Sequence, residues 1–125
     1  METTKAIKAS AAKLRGAAGL ACCVRVYVPG TMGTAAAADN AAYIRRAAAF
    51  LSGAFGGATA TETRGFWLSD VAGLVEEKTT IVYSFCDADS LTAEAEAIVD
   101  FCETMKADLM QEAVSLEVNS VLYLI

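Results

Sequence analysis

The sequence predicts an α+β domain of the ferredoxin-like, split βαβ type, an antiparallel sheet with two helices on one face. Three observations predict it. Period-two apolar alternation marks strands near both ends, two stretches carry helical periodicity, and a long strand–turn–strand stretch lies between those helices. Read in order, the elements are β-α-β-β-α-β, with a short strand added at the carboxyl end.

Residues 3 to 18 space Ile7, Ala11, Leu14 and Ala18 by four, three and four, with lysines elsewhere, as in a weakly amphipathic helix. The stripe is thin, so residues 1–21 are expected to be a helical or disordered extension of a single domain spanning 22–125. From Cys22 to Val28, Val24, Val26 and Val28 alternate with Cys23, Arg25 and Tyr27, the pattern of a strand with one buried face. Pro29-Gly30 ends that strand. A loop through Thr31, Gly33 and an alanine run leads to Asp39 or Asn40, either of which suits the cap of the next helix. On that helix Ile44, Ala48, Leu51 and Phe55 form the apolar stripe, and Gly56-Gly57 stops it.

Thr59, Thr61, Thr63, Phe66 and Trp67 favour a second strand, with Gly65 a candidate bulge. Ser69 to Gly73 reads as a turn into the longest strand, Leu74 to Cys86. There Ile81, Tyr83 and Phe85 alternate with Lys78, Thr80, Val82 and Ser84, and the first set is expected to face the core. A second helix is expected to open at Thr92, with Ile98, Phe101, Met105 and Leu109 on one face. Val114, Leu116 and Val118 then mark a strand, and Asn119-Ser120 a two-residue turn into Val121 to Ile125.

Composition narrows the function. Alanine supplies 26 of the 125 residues, so the bulky core must come from the Val, Ile, Leu and aromatic residues after Val24. No apolar run is long enough to cross a bilayer, and the amino-terminal stretch is a poor export signal, so a cytoplasmic location is expected. Without histidine, and with four cysteines that form no C-x-x-C, the chain offers no metal site and no Ser-His or Cys-His nucleophile; no cofactor is expected. Residues 1 to 19 hold four bases and one acid, whereas the remainder holds six bases and fourteen acids. An acidic body repels phosphate backbones, which argues against direct nucleic-acid binding.

With both helices on one side, the other sheet face is left uncovered. The alternation expected above gives that face Arg25, Tyr27, Glu76, Lys78, Thr80, Val82, Ser115 and Glu117. Arg25, Tyr27, Trp67, Glu76, Lys78, Gln111 and Glu117 are therefore the candidate binding residues, and no residue is singled out as catalytic. Glu76-Glu77-Lys78 forms the densest charged cluster, but neighbours on a strand point to opposite faces and cannot both serve one site. Trp67 fits a core plug better than an exposed anchor. Gln111-Glu112 stands where a helix passes into a strand and suits the pairing of loop and helix-end carbonyls as well as a ligand. Gly30-Thr31-Met32-Gly33 lies between a strand and a helix but lacks the spacing of a phosphate-binding loop.

From Arg25 to Ile125 the chain resembles a group of short bacterial α+β proteins met in gut bacteria and their mobile elements. The resemblance rests on Val28-Pro29-Gly30-Thr31, Phe50-Leu51, Phe55 to Thr59, Gly65 with Trp67, Gly73 to Glu77, Gln111 to Val114 and Leu122 to Ile125. It implies a bacterial or phage origin and a start near Arg25 in most relatives, from which residues 1 to 22 depart. It brings no catalytic residues with it.

These readings favour a non-catalytic module that uses the uncovered face to form a homodimer or hold a protein partner. One alternative is a mobile-element inhibitor of host defence that acts by binding through its acidic surface. The other is a small cofactor-independent enzyme using Glu76, Glu117 or Gln111 in a pocket near Trp67 and Tyr27.

Overall fold

A computed structural model describes residues 2–11, 19–33 and 36–125, with the backbone alone described at 11, 36 and 37. The chain runs α1 (Glu2–Ala11), β1 (Cys22–Pro29), β2 (Thr31–Met32), β3 (Ala36–Ala37), α2 (Ala41–Phe55), β4 (Thr59–Ser69), β5 (Gly73–Cys86), α3 (Ala88–Asp108), β6 (Ser115–Val118) and β7 (Val121–Leu124). One antiparallel sheet has the order β4-β5-β1-β6-β7, and β2 and β3 form a separate small hairpin. This is the α+β, split βαβ arrangement with its added carboxyl-terminal strand. No described helix is long and apolar enough to cross a membrane. The side chains of residues 2–10 are exposed throughout, so they are not packed on the sheet; residues 12–18 of the expected amino-terminal helix lie outside the described residues.

The core forms where α2 and α3 cover one sheet face. Val24, Val26 and Val28 of β1 and Val82 of β5 meet Ala47 and Leu51 of α2 and Ile98, Cys102 and Met105 of α3. The stripes are rotated slightly from those expected, since Tyr43 and Ala47 are more buried than Ile44 and Ala48, and Cys102 more than Phe101. Asp39 accepts from the Ala41 amide, while Asn40 turns its own amide onto the carbonyls of Pro29 and Thr31 and so ties the loop to β1. Gly56, at φ 93°, ends α2 in the left-handed region that disfavours a side chain. α3 starts a turn earlier than expected because Asp87 caps it, accepting from the Ser90 amide at 2.7 Å. Asn119 and Ser120 both take positive φ, as the two-residue turn into β7 requires.

β5 corrects the expected facing. Val82 is fully buried under the helices with Thr80 and Ser84 beside it, so Ile81, Tyr83 and Phe85 lie on the uncovered face. Polarity misled here because Ser84 is satisfied internally, its hydroxyl donating to the Gly57 carbonyl. The same parity puts Glu76 and Lys78 on the helix side and Glu77 and Thr79 on the uncovered side. Gly65 is no bulge, since β4 and β5 pair without interruption from Thr59↔Tyr83 to Ser69↔Gly73. β1 reaches only as far as Pro29↔Thr79, so the strands beyond that point form a two-stranded ribbon that overhangs the sheet. Trp67 stands on this ribbon and is 45% exposed; it is not a core plug, because neither helix reaches that far.

Candidate functional site

The root of the ribbon and the start of β6 enclose a hollow of about 460 Å³ on the uncovered face, lined among others by Tyr27, Thr63, Trp67, Glu77, Thr79 and Gln111. Register builds its floor. Thr63 stands opposite Thr79, Gly65 opposite Glu77 and Trp67 opposite Val75, so these side chains share one face. Thr63 Oγ1 donates to the Thr79 carbonyl at 2.7 Å, which fixes that part of the floor. At Gly65 a Cβ would lie 3.3 Å from Thr79 Oγ1, and its absence leaves room beside the Glu77 carboxylate.

A polar network borders the hollow on the β1–β6 side. The Tyr27 hydroxyl donates to Glu117 Oε1 at 2.8 Å, and Arg25 Nε stands 3.6 Å from Glu117 Oε2. The Arg25 guanidinium also lies over the Tyr83 ring, 4.6 Å from its centroid. Burial, and then the hydrogen bond to Glu117, holds the Tyr27 phenol above its ordinary range, so it is a donor and not a base at neutral pH. Cys23 is likewise pushed up, chiefly by burial, and Cys102 in the core is pushed up to about 11, so neither is an activated thiolate.

Gln111 closes the far end. Its amide nitrogen donates to the carbonyls of Leu109 and Gly33 at 3.0 Å and to the carbonyl and hydroxyl of Thr31 at 3.3 Å. It thus joins the end of α3 to the turn after β2, as its position between a helix and a strand suggests.

Of the residues singled out from sequence, the structure gathers Tyr27, Trp67 and Gln111 in the hollow and sets Arg25 and Glu117 beside it through Tyr27. It turns Glu76 and Lys78 to the opposite face of the ribbon, where both still border, with Trp67, a separate hollow along the free edge of β5. Glu76 pairs with Arg64 on the other side of the ribbon, Arg64 Nε to Oε2 at 2.9 Å, and exposed Lys78 borders a second hollow beside Asn40. The carboxylate on the Trp67 face is Glu77, which sequence reasoning passed over together with Thr63, Gly65 and Thr79. Counting outward from the Ser69–Gly73 turn finds all four, because it pairs Trp67 with Val75 and Gly65 with Glu77.

Two solved structures share this fold. A phage SAM lyase in complex with S-methyl-5′-thioadenosine matches over 86% of this chain and 91% of its own, with a TM-score of 0.62 at 18% identity. A phage SAM lyase in its apo state matches over 90% of this chain and 94% of its own, with a TM-score of 0.64 at 17% identity. At such identity the likeness is one of fold. No family model and no curated protein matches the chain.

Proposed function

We propose that the hollow at the ribbon root binds an adenosyl sulfonium and that the protein is a small cofactor-independent lyase acting on S-adenosylmethionine. The observation that carries this reading is the meeting of Glu77 with Trp67 and Tyr27 in one hollow of about 460 Å³, within the size range of small-molecule sites. A sulfonium has no N–H or O–H to donate. It is therefore held by a carboxylate and by aromatic faces, and a purine takes the same faces by stacking. The fold shared with phage SAM lyase over most of both chains adds support of a general kind.

Release of the methylthioadenosine moiety breaks the bond between sulfur and the four-carbon amino-acid chain. The electron pair returns to sulfur, which changes from a cation to a neutral thioether. The substrate's own carboxylate oxygen can take the vacated carbon and close a lactone, with no proton exchanged and no water consumed. That course needs no histidine and no metal. Glu77 favours the charged substrate over the neutral product, which aids binding and release but does not itself lower the barrier. The rate gain comes from folding the substrate so that its carboxylate and the breaking bond align.

The test is incubation of the purified protein with S-adenosylmethionine, followed by mass spectrometry. Methylthioadenosine should accumulate with protein concentration; no release above the spontaneous rate at micromolar protein would remove the reading. Such an activity also gives the mobile-element reading a chemical route, because it depletes the methyl donor on which host modification enzymes draw.

The exposed apolar surface favours a second role, self-association. Phe85, Leu122 and Leu124 are exposed on the uncovered side, whereas Phe66, Leu68 and Leu74 are exposed on the opposite face of the ribbon and Val71 at its turn. An isolated two-stranded ribbon is marginal in water, and this much apolar surface is unusual for a monomer. Light scattering across a concentration series should give a mass above 13.0 kDa; a strict monomer at all concentrations would exclude self-association and leave the lyase reading untouched.

A further inference from the structure

We infer that Gln111 selects the 6-amino group of a bound adenine through its side-chain oxygen, an inference that rests on the adenosyl reading above. The orientation of the Gln111 carboxamide is set by its surroundings. Four oxygen acceptors stand within 3.0 to 3.3 Å of Nε2: the carbonyls of Leu109, Gly33 and Thr31 and the Thr31 hydroxyl. An amide oxygen in that place would face at least three carbonyl oxygens with no proton between them, so nitrogen occupies it. The carbonyl end must then turn the other way.

No described residue serves that end. Among the described residues no donor bonds Gln111 Oε1, and no buried side-chain oxygen lacks a partner, so Oε1 is open to the outside. Gln111 lines the hollow at the ribbon root, together with Trp67 and Tyr27. The site therefore presents a fixed acceptor that asks for an N–H group, near an aromatic face that suits a flat ring. Both amide hydrogens are committed to backbone and Thr31 oxygens, so the side chain cannot offer a donor to the ligand. It cannot make the paired contact to an adenine edge that a free glutamine makes.

Adenine meets the demand with its exocyclic amino group. Hypoxanthine presents a carbonyl oxygen there, which would oppose Oε1 and leave both acceptors without a proton. Sites built around a fixed polar partner reject analogues that lack the matching group far more sharply than apolar pockets reject a change of shape. Because Gln111 is anchored at three points of the backbone, it cannot rotate to accommodate the change.

The test compares 5′-methylthioadenosine with 5′-methylthioinosine on the unaltered protein by isothermal titration. Methylthioinosine should bind at least tenfold more weakly. In a side-chain-labelled sample, the Gln111 amide resonance should shift with methylthioadenosine and much less with methylthioinosine. Equal binding of the two nucleosides, or a Gln111 resonance indifferent to both, overturns the assignment while leaving the adenosyl reading intact. No binding of methylthioadenosine overturns both. A Gln111→Leu variant adds a second readout, since the gap between the ligands should fall below threefold, and a gap that persists places the selection elsewhere.

Discussion

The Tyr27 hydroxyl reaches across from β1 to donate to Glu117 on β6 at 2.8 Å, and this bond borders the hollow on one side. Burial first, and the bond to Glu117 second, raise the Tyr27 pKa in the folded state. A raised folded pKa contributes stability that is whole below the unfolded value of about 10 and is lost as pH climbs through the folded one. Glu117→Gln removes the charge but keeps an acceptor. It should cost about 1 kcal/mol near neutral pH, allowing for partial exposure, and the alkaline loss, which starts at the same unfolded value, should be smaller and end at lower pH. Urea denaturation between pH 7 and 11, with phenolate absorbance followed in parallel, checks both; identical phenol titrations in variant and parent would contradict the assignment.

Glu76 and Glu77 are neighbours in sequence and point to opposite faces of the ribbon. Glu77 faces the hollow, whereas Glu76 pairs with Arg64 on the opposite side of the ribbon. For the proposed lyase activity, Glu77→Gln should therefore lower kcat/KM for S-adenosylmethionine at least tenfold, chiefly through KM, because it removes attraction for a cation. Glu76→Gln should leave kcat/KM within about twofold and stability within about 0.5 kcal/mol, as expected of an exposed pair. Steady-state kinetics on the two proteins settle the matter. Equal losses, or a loss confined to the Glu76 variant, would mean that the register argument has chosen the wrong carboxylate.

The two glycines of this region should respond in opposite ways. A Cβ on Gly30 would collide with the Lys78 carbonyl oxygen, a backbone atom that can move only if β5 moves. Gly30→Ala should then cost about 3 kcal/mol, the upper range for an overpacked site. At Gly65 the nearest atom is the Thr79 hydroxyl at 3.3 Å, and the backbone is ordinary strand. Gly65→Ala should change stability by no more than about 1 kcal/mol, while Gly65→Val crowds Glu77 and should weaken nucleoside binding severalfold. Thermal melts with and without 5′-methylthioadenosine measure both effects, and a well-folded Gly30→Ala protein would show that the contact yields.

These residues also show what was legible in the sequence. The valines of β1 alternate without interruption, so that strand, its buried face and the placing of Arg25 and Tyr27 opposite could be read directly. The order of elements followed from two clear helical stretches and two turns rich in small and polar residues. β5 was harder because both of its sets contain apolar and polar members, and apolarity alone favoured Ile81, Tyr83 and Phe85 for the core. The structure buries Val82, Thr80 and Ser84 instead, since the hydroxyl of Ser84 finds a carbonyl at Gly57. That one inversion moved Glu76 and Lys78 off the candidate site and brought Glu77 onto it. Trp67 was misplaced for a different reason: periodicity does not reveal how far a hairpin outruns the helices that cover its sheet.

Asp87 offers a test at acid pH. Its carboxylate accepts from the Ser90 amide at 2.7 Å and caps α3, and this backbone bond, first among the causes, holds its pKa below the ordinary carboxylate range. A depressed folded pKa contributes stability that is present above the unfolded value of about 3.9 and is lost as pH falls through the folded value. Asp87→Asn keeps a capping oxygen and loses the titration, so its melting temperature should decline less steeply than the parent's from pH 5 down to 3. Asp87→Ala should melt lower than both at pH 7, because the first turn of α3 then has an amide without a partner. Because α3 supplies Ile98, Cys102 and Met105 to the core, fraying at its start need not reach them. Hydrogen exchange on the alanine variant should therefore quicken at Ser90 and Leu91 and stay slow at Cys102; quickening along the whole helix would mean that the cap governs more than its own turn.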